Sequence, residues 1–219
     1  MIIKRAAIAP LLLLSGLLVS APGPQASRRG IRATAPAYQV LQGGTDEGGI
    51  PTSAARLLVY RGGRPVLHEP PPADPPFGAD GRVQTWEAGP GPRLYLFSAV
   101  SHAGGSGGTV YLALLQDHPE GLLELMPGIT FSTLSEFRFL RDPARPEAPV
   151  VAVAEAIWAS GEAHFGNHRQ RIKAFAQDPA TGRYALRADY TTTRKYPSEG
   201  DGRVLAAEGR TLLARLRQR

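Results

Sequence analysis

The sequence predicts a mainly β fold, with antiparallel β-meander or propeller-like repeats that form a partial propeller or a compact sheet, and a C-terminal amphipathic helix. Three observations support this prediction. Short segments of apolar or alternating residues are separated by Gly and Pro turn signals, a pattern typical of antiparallel strands. One strand–loop–hairpin pattern occurs twice along the chain. Residues 203–219 instead repeat their apolar residues with helical spacing.

The two copies of this pattern have hairpins with similar turns. Each turn begins with Gln-Asp and ends with Gly, and in the second copy Pro follows the Asp. The Pro fixes φ early in the turn, whereas the Gly allows a positive φ at its end. An apolar strand precedes each hairpin, and 56 residues separate the starts of these two strands at Arg93 and Pro149. The predicted hairpin strands are 110–115 with 122–126, and 171–176 with 183–187. Repeats of this length are typical of propeller blades.

Three segments between residues 27 and 76 precede the two repeats. Residues 27–53 are rich in Gly, Ala and small polar residues and predict a linker with one short strand at 38–41. The β-repeat domain, 54–202, begins with a hairpin whose centre is Gly62-Gly63, because glycine tolerates the positive φ of a tight turn. The Pro-rich segment 70–76 lacks the N–H donors of a sheet interior and predicts a connector.

The first 26 residues have the order of a secretory signal peptide. Lys4 and Arg5 precede the apolar run 6–19, and small residues follow at 20–21 and 26–27. This run of 14 residues is shorter than the roughly 20 that a membrane-spanning helix needs, which favours cleavage over retention as an anchor. We therefore expect an exported protein, periplasmic or extracellular, without an integral membrane span in its mature form.

Composition excludes some kinds of chemistry and partner. The chain has no Cys, which excludes disulfides, thiol nucleophiles and thiolate metal sites. Its net charge of +6 arises largely at its ends, because residues 28–201 contain 18 basic and 18 acidic residues. The C-terminal helix, 203–219, has five Arg and one Glu. A nucleic-acid-binding protein presents a basic face across its fold, so we expect no nucleic-acid partner.

The segment Val150–Leu186 joins an apolar strand to a hairpin with Asp178, Thr181-Gly182 and Tyr184 around its turn. This segment resembles a blade of the FG-GAP/VCBS-like bacterial β-propellers. The resemblance covers residues 149–187 and, more loosely, 93–126, and it implies an apolar inner strand with an outer hairpin. The chain lacks the Asp-rich calcium loop of these families. It also has room for only about three such units, where propellers have four or more. An open sheet, a small barrel or sandwich, and a partial propeller completed by a partner chain all remain open.

The loop 158–169, which precedes the hairpin of the second copy, contains the densest set of chemically active side chains. Glu162, His164 and His168 together offer a carboxylate and two imidazoles, ligands that a divalent metal such as Zn²⁺ accepts. The same residues can supply an acid and a base. The spacing does not follow HExxH, and glycines within the segment favour a loop over a helix. A structural or recognition loop is the alternative interpretation.

Trp158, Asn167 and Arg169 are the candidate recognition residues of this loop, because a Trp beside polar loop residues suits a carbohydrate or peptide ligand. Two functional hypotheses result. The favoured one is a non-enzymatic envelope or extracellular module, interacting or structural, that binds an envelope protein or carbohydrate and needs no cofactor. The alternative is a metal-dependent, hydrolase-type enzyme that uses Glu162, His164 and His168. The first is favoured because repeated β units account for most of the sequence.

Overall fold

The computed structural model describes residues 38–73, 76–87, 91–101, 108–132, 135–163, 166–197 and 202–218. The predicted signal peptide and residues 27–37 of the predicted linker lie outside these ranges. The described residues form eleven strands and one helix, which are β1 (Tyr38–Leu41), β2 (Arg56–Arg61), β3 (Arg64–His68), β4 (Asp80–Trp86), β5 (Leu94–Ser101), β6 (Thr109–His118), β7 (Gly121–Ser132), β8 (Ser135–Leu140), β9 (Val150–Ile157), β10 (Asn167–Gln177), β11 (Tyr184–Pro197) and α1 (Arg203–Leu216).

The strands form three open sheets in which every strand pairs antiparallel with its neighbour in sequence. Sheet I contains β1–β3, sheet II contains β4–β7, and sheet III contains β8–β11. Sheets II and III are therefore two consecutive four-stranded meanders. The prediction of antiparallel meander repeats followed by a C-terminal helix is confirmed, whereas the assembly of these repeats as propeller blades stays a prediction.

The turn residues explain two of the three predicted hairpins. Between β2 and β3, Gly62 and Gly63 have φ values of 53° and 81°, so both central residues of this two-residue turn are left-handed. Between β10 and β11, the Asp178 carboxylate accepts the backbone N–H of Ala180 at 2.8 Å, and Gly182 has a φ of 70°. The remaining predicted hairpin, formed by β6 and β7, has a shorter turn than predicted, because only residues 119–120 separate its strands.

The leading strand of each meander, β4 or β8, was not identified from the sequence. β4 contains Gly81, a residue that usually weakens a strand, and most of its other residues are polar. A Cβ atom at Gly81 would lie 2.6 Å from side-chain atoms of Val40 and Ala55. The glycine therefore allows sheet I to approach sheet II closely, a reason that becomes visible only in the packed structure.

Sheet II is buried on both faces. Along β5, Leu94 and Leu96 pack toward sheet III, whereas Tyr95 and Phe97 pack toward sheet I. Because both faces are covered, the strand is continuously apolar instead of alternating between apolar and polar residues. The interface of sheets II and III is the core that joins the two meanders, and it includes Leu112.

Sheet III packs against sheet II on one face and against α1 on the other. Val151 and Val153 of β9 point toward sheet II, whereas Ala152 and Ala154 pack in the cluster that contains α1. Leu205 of α1 is fully buried in that cluster. The predicted amphipathic helix is thus confirmed and ends at Leu216. Among the described residues, no helix combines the length and the apolar character needed to cross a membrane.

Candidate binding groove on the third sheet

Sheet II covers only part of the face of sheet III that it packs against. Strand register places side chains in four rows across β9, β10 and β11 on this face. The row of Val151 and Phe175 lies in the core, and each of the three rows farther out contains charged side chains. In order from the core outward, the rows are Val151–Phe175–Leu186, Val153–Lys173–Asp189, Glu155–Arg171–Thr191 and Ile157–Arg169–Lys195.

Two clefts follow these rows, and we call them together the charged groove. The inner cleft, about 530 Å³, lies beside residues 128–131 of β7 and contains Arg171, Lys173 and Asp189. The outer cleft, about 440 Å³, is lined by Ile157, Ala159, Glu162, Arg169, Thr191 and Lys195. Residues two apart on one strand lie on the same face, about 7 Å from each other. Arg169 lines the outer cleft and Arg171 lines the inner one, so the two clefts lie side by side.

Most charges in the charged groove form ion pairs with each other. Arg171 donates two hydrogen bonds to the Asp189 carboxylate, at 2.8 and 2.7 Å, and this contact is the main cause that lowers the pKa of Asp189. Lys173 Nζ lies 3.6 Å from Glu155. Both pairs link adjacent strands and neutralise the inner cleft.

The outermost row has a different charge balance. Arg169 lies directly opposite Lys195, and like charges at opposed positions of an antiparallel pair destabilise it. Lys195 contacts Glu162, but the exposed Arg169 side chain has neither an ion pair nor a hydrogen bond within the described part of the chain. Ile157, on the other side of Arg169, is 37% exposed. The row therefore combines one surplus positive charge with an exposed apolar side chain.

Glu162 fastens the loop between β9 and β10. Its carboxylate accepts hydrogen bonds from Lys195 Nζ at 2.6 Å, from the Ala159 N–H at 2.9 Å and from His168 Nδ1 at 3.0 Å. These contacts, led by Lys195, lower the pKa of Glu162 to about 2. Because an ionised carboxylate only accepts hydrogen bonds, the His168 proton must be on Nδ1. Glu162 thus connects its own loop to both β10 and β11.

The structure brings two of the three predicted metal ligands together. Glu162 and His168 share a hydrogen bond, whereas His164 lies outside the described residues. His168 is fully buried, and its ring centroid lies 5.4 Å from that of Trp158. Within the described ranges, no group of three His, Asp or Glu side chains is arranged to hold a metal ion. The three-residue metal site therefore stays a prediction.

The predicted recognition residues lie on two faces of sheet III. Asn167 and Arg169 belong to the groove face by strand alternation, and both are exposed. Trp158 packs instead against His168 on the opposite face, so it does not line the charged groove with Arg169. Sequence reasoning did not identify Lys195, Thr191 or Ile157 as site residues. The alternation of Arg169, Arg171 and Lys173 along a half-buried strand was the available signal for a charged face.

No protein-family model matches this chain, and neither does any curated protein or solved structure. The function of the charged groove is therefore inferred from its own geometry and chemistry.

Proposed function

We propose that this chain is an exported, non-enzymatic interaction module of the cell envelope or extracellular space, and that the charged groove binds its ligand. The observation that carries this proposal is the outermost row, where Arg169 extends into an open cleft with its charge uncompensated within the described residues. The N-terminal sequence pattern supports export. The two clefts have volumes within the range of small-ligand sites.

The contacts of Glu162 favour this role over that of a hydrolase. A general acid must be protonated near the working pH, whereas the pKa of Glu162 is held at about 2. Hydrogen bonds from Lys195, His168 and the Ala159 N–H already occupy three of the roughly four acceptor sites of this carboxylate, so a metal ion would compete with them. These contacts support a structural function for Glu162, which is to hold the loop beside the groove.

Export can be tested by expressing the full chain in a bacterial host, separating cytoplasm from envelope and medium, and measuring the intact mass of the recovered protein. We expect a protein outside the cytoplasm that lacks residues 1–26 or a segment close to them. A variant with Leu12→Arg and Leu14→Arg, which interrupts the apolar run, should stay in the cytoplasm. A wild-type chain of full mass in the cytoplasm would contradict export.

Metal analysis distinguishes the module from the enzyme. Purified wild-type protein, Glu162→Gln, His168→Gln and His164→Ala are dialysed against zinc and then analysed by elemental mass spectrometry. We expect sub-stoichiometric zinc in all four. One zinc ion per chain in the wild type, lost in the variants, would favour the hydrolase instead.

The groove itself is tested by sedimenting the protein with isolated envelope material. Arg169→Glu should weaken co-sedimentation, because it reverses the surplus charge in the groove. Arg64→Glu is the matched control, since Arg64 is also an exposed strand arginine but lies in sheet I. Equal retention of both variants and the wild type would show that the groove is not the binding surface.

A further inference from the structure

We propose that the ligand of the charged groove is an acidic saccharide, whose carboxylate binds between Arg169 and Lys195 while its sugar ring lies on Ile157. This inference rests on the proposed function and specifies the class of ligand. It follows from the charge balance of the groove, from the neutral groups beside Arg169, and from the hydrogen bonding of the groove floor.

The charge balance favours one anionic group at the outermost row. Each acidic side chain in the groove has a basic partner: Asp189 contacts Arg171, Glu155 contacts Lys173, and Glu162 contacts Lys195. Arg169 remains as the one surplus charge in this set. A guanidinium group can donate two parallel hydrogen bonds to a carboxylate. A carboxylate placed between Arg169 and Lys195 would also offset the repulsion between these opposed cations.

The groups beside Arg169 match the remainder of a sugar. Ile157 presents an exposed apolar side chain to the outer cleft. Thr191 also lines this cleft, and its hydroxyl has no hydrogen-bond partner among the described residues. A pyranose ring has an apolar C–H face and several hydroxyl groups, so both contacts can be made at once. A bare inorganic anion could accept a hydrogen bond from Thr191 but would make no apolar contact with Ile157.

The groove floor favours a saccharide over an acidic peptide. β10 runs along the middle of the floor and pairs with β9 on one side and β11 on the other. Its backbone N–H and C=O groups are therefore largely occupied within the sheet. A peptide bound as an added strand needs free backbone groups along an edge, whereas a saccharide can bind through the side chains that this floor offers.

Lys195 is also held in place before any ligand binds. Arg169 and Lys195 are on paired strands, and the hydrogen bond from Lys195 to Glu162 fixes the ammonium group beside the cleft. Side chains ordered in advance lose less entropy on binding, which raises affinity. Glu162 is therefore a positioning residue for Lys195.

Calorimetric titration of the purified protein with trigalacturonate and triglucuronate tests the proposal, with galactotriose and glucose trisaccharide as neutral counterparts. We expect at least one uronate to bind at least tenfold more tightly than its neutral counterpart, as a charge-assisted bidentate contact implies. Arg169→Ala should weaken this binding about tenfold or more, and Arg169→Lys by less, because lysine keeps the charge but loses the fork. Arg64→Ala should bind like the wild type.

Three results would overturn the acidic-saccharide assignment. One is the absence of uronate binding at millimolar concentration, and another is equal binding by Arg169→Ala and the wild type. The third is Arg169-dependent binding of inorganic phosphate or of tetraglutamate with no binding of uronates, which leaves the groove as the binding surface but changes the ligand class. The co-sedimentation experiment tests the groove as a binding surface separately, because its result does not depend on the class of ligand. Thermal unfolding of each variant confirms that the exposed substitutions leave the fold intact.

Discussion

A single carboxylate, that of Glu162, determines how the loop after β9 meets the rest of sheet III. Glu162 accepts hydrogen bonds from Lys195, from the Ala159 N–H and from the buried His168. All three donors favour the ionised form, which is why the pKa of Glu162 falls to about 2 although burial alone would raise it. The hydrogen bonds that hold the loop therefore depend on the ionisation of Glu162, and so on pH.

Glu162→Gln should change the pH dependence of stability. Because the pKa of Glu162 is lower in the folded protein, at about 2, ionisation stabilises the fold fully above the unfolded pKa of about 4.3. That contribution is lost as the pH falls toward about 2. The difference in unfolding free energy between wild type and Glu162→Gln should therefore be constant above about pH 5 and decrease toward pH 2.

Urea unfolding at a series of pH values measures this difference. Glu120→Gln is the control, because Glu120 is exposed in the β6–β7 turn and its carboxylate makes no hydrogen bond within the described ranges. A difference between wild type and Glu162→Gln that stayed the same from pH 7 to pH 2 would show that Glu162 is not held as the structure indicates.

Gly128→Ala should destabilise the protein by overpacking. A Cβ atom on Gly128 would overlap the ring of Tyr111, which is buried at the interface with sheet I. Forcing extra atoms into such a site costs about 1–3 kcal/mol. Gly209→Ala is a control of opposite sign, since its nearest atoms are 3.9 Å away and alanine favours a helix by about 1 kcal/mol. Denaturant unfolding measures both, and stabilisation by Gly128→Ala would contradict the packing.

At the scale of elements, α1 is held by side chains remote in sequence. Its N-cap residue, Gly202, has no side chain to accept a backbone hydrogen bond, and the buried Glu136 of β8 accepts one from the Leu205 N–H at 3.1 Å. Glu208 accepts hydrogen bonds from Tyr196 at 2.6 Å and Tyr190 at 3.2 Å. The helix therefore depends on sheet III for its capping as well as for its apolar contacts.

Leu205→Ala should destabilise the protein by about 2–5 kcal/mol, because the fully buried side chain leaves a cavity between α1 and sheet III. Leu213→Ala is a matched control on the same helix, where the side chain is only partly buried, and should cost clearly less. Denaturation monitored by far-ultraviolet circular dichroism gives both values. Equal losses would show that α1 does not dock through its Leu205 face.

The elements that could be predicted are those whose signal is local. The Gly62-Gly63 turn and the Asp178–Gly182 turn specify their hairpins through backbone φ preferences, so both were predicted from the residues alone. β4 was not predicted, because its Gly81 is explained by a contact with Val40 and Ala55 that is distant in sequence. Local chemistry thus predicts turns, whereas long-range packing decides which weak segments become strands.

The groove could be predicted only in part for a related reason. Arg169 was predicted as a recognition residue and residues 171–176 as a hairpin strand, but no charged face was predicted from them. Placing Lys195 opposite Arg169 requires the register of β10 and β11, which shifts between Arg169 and Arg171. Such an irregularity changes which residues face each other, and nothing in the residue pattern locates it. Trp158 was grouped with Arg169 by proximity in sequence, although strand alternation separates their faces.

At the scale of the whole molecule, sheet I, sheet II, sheet III and α1 form four successive layers. Sheet II and sheet III each supply side chains to two different cores. Both faces of each sheet therefore contain apolar side chains that are stabilised by burial against a neighbouring layer. A meander released from its neighbours would expose an apolar surface such as that of Leu112 or Val153. The layers are therefore expected to unfold together.

Each of the two meanders has its own tryptophan, which makes this cooperativity measurable. Trp86 belongs to sheet II, and Trp158 follows β9 and packs on His168 of sheet III. Trp158→Phe leaves Trp86 as the only fluorescent tryptophan, and Trp86→Phe leaves Trp158. In each variant, the urea midpoint measured by fluorescence should equal the midpoint that circular dichroism gives for the same variant. Leu112→Ala, fully buried between the sheets, should lower the midpoints seen by both tryptophans equally, at a cost of about 2–5 kcal/mol. If the midpoint at Trp86 decreased while that at Trp158 stayed unchanged, the two meanders would be independent folding units, and the shared core would not be what joins them.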